Sequence, residues 1–479
     1  MSMRRTKLVC TIGPASIERI DGLVDAGMDV ARINFSHGTP DSHAVAVERV
    51  RETSRASGRT VAVLVDLPGP KIRLGDLDGG EVELVAGDPF DLHPEEWPHG
   101  GRGGAHVSRA LGDELGPGDR ILLADGAAEL QVTSTDAVVH AEVTRGGTIR
   151  SHAGVSVPAA RLRGPSLTDH DRREAPRAVT LGTDLMAQSF VRRAADVLEL
   201  RALLGPDGPP IVAKIETRPA VDDFDAICEV ADAVMIARGD LGVELPYEEV
   251  PILQKQLVRR ALDRSIPTIV ATQMLESMTT SPRPTRAEAS DVANAIFDGA
   301  DAIMLSGETA IGAHPVLAAE AAVRIARLCE SRGEAFLPGG AAARGGSDAG
   351  ALAYAAAAIA TTGRDVSAIA CYTRSGQTAR TIAAHRPRVP ILAFSPDHGV
   401  VRRLAIVHGV EPRLCVPPPD SGARLGLMAW LLAEDATLPA GSAVVLVAST
   451  ATPGTGPNLL ELHRIPEASG DAAAPQPAR

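Results

Sequence analysis

The chain has 479 residues, enough for two to four domains with full hydrophobic cores. Its 44% hydrophobic and 23% charged content is ordinary for a globular protein, and a net charge of −12 argues against nucleic acid or an anionic membrane surface as a partner. Five cysteines without C-x-x-C spacing give neither a disulfide framework nor a zinc site. No signal core and no apolar run of membrane-spanning length is visible, so a cytoplasmic location is expected.

In chain order, eight short apolar runs rich in β-branched residues fall at 8–12, 30–35, 61–67, 184–190, 211–215, 233–237, 268–271 and 302–305. Amphipathic helical stretches such as 17–26, 43–54, 253–263 and 285–297 lie between them. Eightfold strand–helix alternation predicts an α/β fold, a closed (β/α)8 TIM barrel over 1–70 and 167–335. The spacing between the third and fourth runs is too long for a loop, and 71–166 reads as an inserted all-β lid domain with short alternating runs at 81–85, 121–123 and 138–143. A Gly/Ala-rich linker is expected at 336–348 and a C-terminal α/β effector and oligomerisation domain at 349–468. In that domain a helix is predicted at 351–361 and strands at 368–372, 390–394, 413–416 and 443–448. The Ala/Pro-rich stretch 469–479 reads as a disordered tail.

Polar residues follow every barrel run: Gly13-Pro14, Asn34 to His37, Asp66, Ser189, Lys214 with Glu216, Arg238 with Asp240, Thr272-Gln273, and Ser306 with Glu308. All should converge on one rim, where barrels of this kind keep their chemistry. Lys214, Glu216 and Asp240 there suggest a Mg²⁺ cup beside a cation, suited to a phosphate or carboxylate. Only four lysines occur, at 7, 71, 214 and 255, so a lysine kept at a strand end points to a need for a compact ammonium. A plain ion pair between Lys214 and Glu216 is the alternative.

On these stretches the chain resembles the pyruvate kinase family along nearly its whole length: 6–16 (TKLVCTIGPAS), 31–38 (ARINFSHG), 69–75 (GPKIRLG), the strings around Lys214 and Asp240, 271–278 (ATQMLESM), 283–288 (RPTRAE), 291–294 (DVAN) and 304–309 (MLSGET). The resemblance implies barrel, lid and effector domains, in most members a homotetramer, and transfer of a phosphoryl group from phosphoenolpyruvate to ADP to give pyruvate and ATP. It implies that Glu216 and Asp240 hold Mg²⁺, that Lys214 sits at the phosphoryl group, and that Gly239 and Asp240 offer amides to the substrate carboxylate. Thr272 would help deliver a proton to enolpyruvate through water. Ser306 completes the catalytic set with Arg32, Lys214 and Thr272.

Arg32, Asn34, His37, Arg73 and Asp125 match the nucleotide side, although Arg32 also suits a rim ion pair. Asn34, Ser36, Asp66 and the carbonyl of Leu67 match a K⁺ site; Lys71 stands where K⁺-dependent members carry Glu, so its ammonium is expected to replace the K⁺ charge. Thr373, Arg374, Ser375, Gly376, Gln377 and Thr378 resemble a site for a phosphorylated effector, or else a plain helix cap. The chain departs from the family at Ala124, Ala153 and Ala159 in the lid, and at Pro68 and Gln188. Two alternatives stay open: a catalytically weak paralogue, its lid degraded by those departures, that binds phosphoenolpyruvate or an effector as a regulator, and a Mg²⁺-dependent enolate-barrel lyase or aldolase.

Overall fold

The computed structural model describes residues 4–94, 100–124, 126–161, 163–333, 336, 347–362, 365–418, 420, 422–449 and 457–466. Eight parallel strands close a barrel: β1 (Lys7–Ile12), β2 (Val30–Asn34), β3 (Ala62–Leu67), β4 (Leu185–Gln188), β5 (Ile211–Ile215), β6 (Ala233–Ala237), β7 (Thr268–Ala271) and β8 (Ala302–Leu305). Their continuous apolar character is what burial on both faces demands, and in seven of the eight every residue is buried; only Asn34, at the end of β2, is partly exposed. Three of the outer helices, Pro40–Ser57, Asp169–Thr180 and Arg286–Asp298, start with capping boxes on Thr39, Thr168 and Thr285. These reciprocal bonds satisfy amides that a helix start leaves without partners.

The chain between β3 and β4 forms a seven-stranded sheet, with a two-stranded ribbon of Glu81–Leu84 and Gly147–Arg150 beside it. It has its own core around Phe90, Leu92, Ile121, Leu123 and Leu130. The C-terminal sheet places Ile391–Ser395, Val366–Tyr372 and Ala443–Ala448 centrally, with Val410–Leu414 and Leu459–Arg464 at its edges. The first edge strand begins three residues before the predicted 413, because its ladder to Ile391–Ser395 starts at Val410. Val416, expected inside it, is 68% exposed. Leu459–Arg464, an antiparallel partner of Ala443–Ala448, has no counterpart in the sequence reading.

Side chains inside the barrel, such as Val9, Leu64 and Met304, form one continuous cluster with Ile382, Leu404 and Val407 of the C-terminal domain. Two buried carboxylates tie the same joint: Asp301 accepts from Arg386 at 2.9 Å and Asp184 from Arg402 at 2.6 Å. The tail 469–479, most of the linker 336–348 and Asp125 lie outside the described residues. Among those described, no helix is long and apolar enough to cross a membrane.

Candidate active site

The strand ends bring the predicted rim together around Lys214, the fourth residue of β5. Its Nζ lies 2.9 Å from Glu216 Oε1 and 3.3 Å from Asp66 Oδ1, and donates to Ser189 Oγ at 2.7 Å. The ion pair with Glu216 is therefore present, but it is one arm of a three-way clasp. Burial would strip the proton from Lys214; the Asp66 and Glu216 charges outweigh it and hold the ammonium firmly protonated. Burial would likewise raise Asp66, yet Lys214 and Arg32 keep its carboxyl below the ordinary range.

Arg32 is buried and donates through Nε to Asp66 Oδ2 at 2.8 Å and through Nη1 to Thr11 Oγ1 at 3.0 Å. The rim ion pair anticipated as its alternative role thus exists. Its guanidinium also belongs to a cationic group with Arg73 and Lys71, which together with burial pushes the His37 imidazole down; burial is the larger cause. Arg73 Nη1 donates to the carbonyl of His152 at 3.1 Å, so the inserted sheet fixes it.

Three of the four groups matched to the K⁺ site, Asn34, Asp66 and the Leu67 carbonyl, already have protein partners. Asn34 Oδ1 accepts the Ser36 N–H at 3.1 Å, the Leu67 carbonyl accepts Ser189 Oγ at 2.6 Å, and Asp66 serves Arg32 and Lys214. Lys71 Nζ lies 4.0 Å from Asp240 Oδ1, on the side of the carboxylate pair. Asp240 lies in the first turn of a short helix, Arg238–Glu244, in which the Gly239 N–H donates to Thr272 Oγ1 at 2.7 Å. That amide, expected to meet a substrate carboxylate, is therefore engaged by the threonine. Thr272 has a φ of 70°, strained for a β-branched residue.

Four residues support the site: Ser189, Arg238 and Glu308 stand in the predicted rim but were given no role there, and Thr11 was not singled out. Ser189 links Lys214 to Leu67, and its only signal was its place just after β4. Thr11 steadies Arg32. Arg238 does not face the metal cup; it clamps Asp291 at 2.7 Å and the Thr272 carbonyl at 2.8 Å. Buried Glu308 accepts the amides of Ser306 at 2.7 Å and Leu275 at 2.9 Å, which fixes the loop carrying Ser306. Gln188, in place of an apolar residue, spends its amide on Ser166 and the Asp196 carbonyl.

The donor set fits a divalent cation. Burial raises the Glu216 carboxyl, and the Asp240 charge adds to this against the pull of Lys214. Two carboxylates that repel each other at adjacent strand ends, with space between the barrel and the inserted sheet, form the kind of site Mg²⁺ takes.

A barrel with paired carboxylates, a locked lysine and arginine forks on its C-terminal rim defines an enzyme of anionic substrates. Residues 3–319 match the family described as pyruvate kinase, barrel domain, and residues 350–463 match pyruvate kinase, alpha/beta domain. The pyruvate kinase of Geobacillus stearothermophilus is 40% identical over 475 residues, covering 96% of this chain and 80% of that protein. That of Mycobacterium tuberculosis is 41% identical over 476 residues, covering 97% and 99%. A crystal structure of a pyruvate kinase from Cryptosporidium parvum superposes with a TM-score of 0.86 at 33% identity, covering 97% and 96% of the two chains. The chain belongs to the pyruvate kinase family, and it is an enzyme of that type.

Proposed function

We propose that the rim around Lys214 transfers the phosphoryl group of phosphoenolpyruvate to ADP, giving pyruvate and ATP. The observation that carries this reading is the buried ammonium held by Asp66, Glu216 and Ser189 at the barrel mouth. Such transfer needs positioning and charge stabilisation rather than covalent help. Lys214 meets the charge that develops on the migrating group and then on the enolate. It needs no reorganisation to do so, since its position and protonation are already fixed.

Glu216 and Asp240 are the residues that would hold Mg²⁺, which supplies charge neutralisation at the substrate's carboxylate and phosphate oxygens. Arg32 and Arg73 present a cationic wall to the nucleotide phosphates, with the neutral His37 and Asn34 beside them. Thr272 holds the proton relay: its hydroxyl donates to the Ala271 carbonyl at 2.6 Å and accepts from Gly239. Turned outward, the same hydroxyl positions water to protonate the enolate carbon. Glu308 keeps the Ser306 loop against this face.

The inserted sheet is read as a lid, because its return strand meets the barrel beside Asp240 and Glu216. The loop from Thr373 to Thr378 is read as the phosphorylated-effector site. Thr373 Oγ1 accepts the Gly376 N–H at 2.9 Å, and Gly376, at φ +85°, starts the helix Gln377–Ala384. A homotetramer remains part of this reading, with Tyr247 and Ile252, 82% and 60% exposed, as apolar surface that a subunit contact would cover. A cytoplasmic enzyme fits the reduced cysteines.

The test is pyruvate formation from phosphoenolpyruvate and ADP with Mg²⁺. Turnover of about 1 s⁻¹ or more supports the reading; none, with Mg²⁺-dependent phosphoenolpyruvate binding intact, would favour the regulatory paralogue.

A further inference from the structure

The loop after β2 carries His37, which is exposed and whose ring sits in the field of Arg73, Lys71 and Arg32. An exposed loop places a ligand only if something beneath it fixes its backbone. Two bonds are the loop's own: the Ser36 N–H donates to Asn34 Oδ1 at 3.1 Å, and the His37 N–H to the Asn34 carbonyl at 3.3 Å. Another comes from outside the loop. His43, the fourth residue of the helix Pro40–Ser57, is buried and lies with Nε2 2.7 Å from the His37 carbonyl oxygen. The chain turns between the two at Gly38, φ +86°, where a Cβ would stand 3.1 Å from that nitrogen.

The contacts of the His43 ring leave it one orientation and one tautomer. The ring is stacked on Phe35, with centroids 4.2 Å apart and planes 5° from parallel. Arg177, from the helix Asp169–Thr180, places Nη2 3.0 Å from His43 Nδ1 and lies over the same Phe35 ring at 5.0 Å. Glu174 holds that guanidinium at 2.6 Å. A guanidinium donates and never accepts, so Nδ1 meets it with a lone pair. The single proton of the neutral imidazole then stays on Nε2, aimed at His37. Burial keeps the ring neutral by lowering its pKa, and the Arg177 charge adds to this against the His37 carbonyl and Glu174.

We propose that His43 is a positioning residue for the nucleotide: its Nε2–H, directed by Arg177, fixes the His37 backbone and with it the loop that receives the ADP phosphates. The proposal rests on the phosphoryl-transfer reading above and names a residue that sets ADP affinity within it. His43 lies beneath the loop and acts through it. Without its bond the loop must be ordered anew at each binding event, so the cost falls on ADP affinity. Phosphoenolpyruvate, met by Lys214, Glu216 and Asp240, is spared.

The experiment pairs a calorimetric titration of the full chain with ADP and Mg²⁺ with steady-state kinetics in both substrates. His43→Phe keeps the stack and loses the donor. It is expected to weaken ADP about tenfold in Kd and KM, with kcat and the KM for phosphoenolpyruvate within about threefold of the wild type. His43→Gln, whose amide can reach the same carbonyl, is expected to recover most of that loss. Arg177→Met, which frees the tautomer from outside the loop, is expected to weaken ADP about threefold or more. ADP binding by His43→Phe equal to the wild type, an equal loss toward both substrates, or a Gln variant as weak as the Phe variant would each overturn the proposal. If the Phe variant does not fold, unaltered ADP binding by Arg177→Met overturns it. A wild type that binds ADP with this dependence on His43 but forms no pyruvate would strike the phosphoryl-transfer reading alone.

Discussion

The backbone N–H of Gly239 donates to the hydroxyl of Thr272 at 2.7 Å, joining the loops after β6 and β7. A Cβ at position 239 would lie 3.3 Å from that oxygen, so the glycine leaves the hydroxyl its place. With Thr272 held at a positive φ, this contact places the only hydroxyl assigned to proton delivery. Thr272→Ala is expected to lower kcat about 10²-fold with a much smaller change in KM, and Thr272→Ser to recover most of the loss. Equal activity of the Ala variant and the wild type in a pyruvate-release assay would remove Thr272 from the proton path.

Lys214→Met is expected to lower turnover by about 10²-fold or more, since a preorganised charge is lost. It also leaves Asp66 and Glu216 without their shared cation in a buried site. Breaking a buried pair in this way costs about 3–5 kcal/mol. Thermal unfolding in metal-free buffer is therefore expected to occur at a clearly lower temperature. Unchanged unfolding would mean that Arg32 alone satisfies Asp66.

Glu244 offers a pH test of the hinge. Its carboxylate accepts the Ala159 N–H at 3.1 Å, where the inserted sheet returns to the barrel, and burial raises its pKa to about 7 against the hydrogen bonds from Ala159 and Arg218. A carboxyl raised in the folded state binds its proton more tightly there than in the unfolded chain. Its contribution to stability is thus full below about 4.5 and is lost as pH rises through about 7. Glu244→Gln is expected to gain on the wild type by about 2 °C or more in Tm between pH 5 and pH 8. A constant difference across that range would show that the carboxyl does not titrate there.

Lys71 is expected to free the enzyme from added K⁺. Wild-type rates with and without K⁺ should agree within about threefold, whereas Lys71→Glu should lose about tenfold in K⁺-free buffer and recover on adding it. A strong K⁺ requirement in the wild type would show that the ammonium, 4.0 Å from Asp240, does not take over the monovalent charge.

The barrel was legible because parallel strands buried on both faces are apolar nearly throughout, and 211–215 and 233–237 are too short for helices. Edge strands carry no such mark. Val410–Leu414 contains Glu411, Pro412 and Arg413, and Leu459–Arg464 mixes leucines with Glu461 and His463. In the site, Lys214, Glu216 and Asp240 could be placed because each stands at the end of a recognisable strand. Ser189, Glu308 and Glu244 act through partners 25 to 85 residues away or across a loop. A serine or glutamate has no local pattern that announces such a partner. Arg238, beside Asp240 in the chain, turns toward Asp291 instead, a choice made by tertiary packing alone.

The shared apolar cluster of barrel interior and C-terminal domain changes how many parts this molecule has. By chain tracing it has three, but the C-terminal domain cannot leave without exposing the barrel's own filling. The inserted sheet, with its separate core, can open or melt while the remainder stays intact. The catalytic barrel and its C-terminal partner thus share one fate on unfolding, and motion at low cost is left to the inserted sheet.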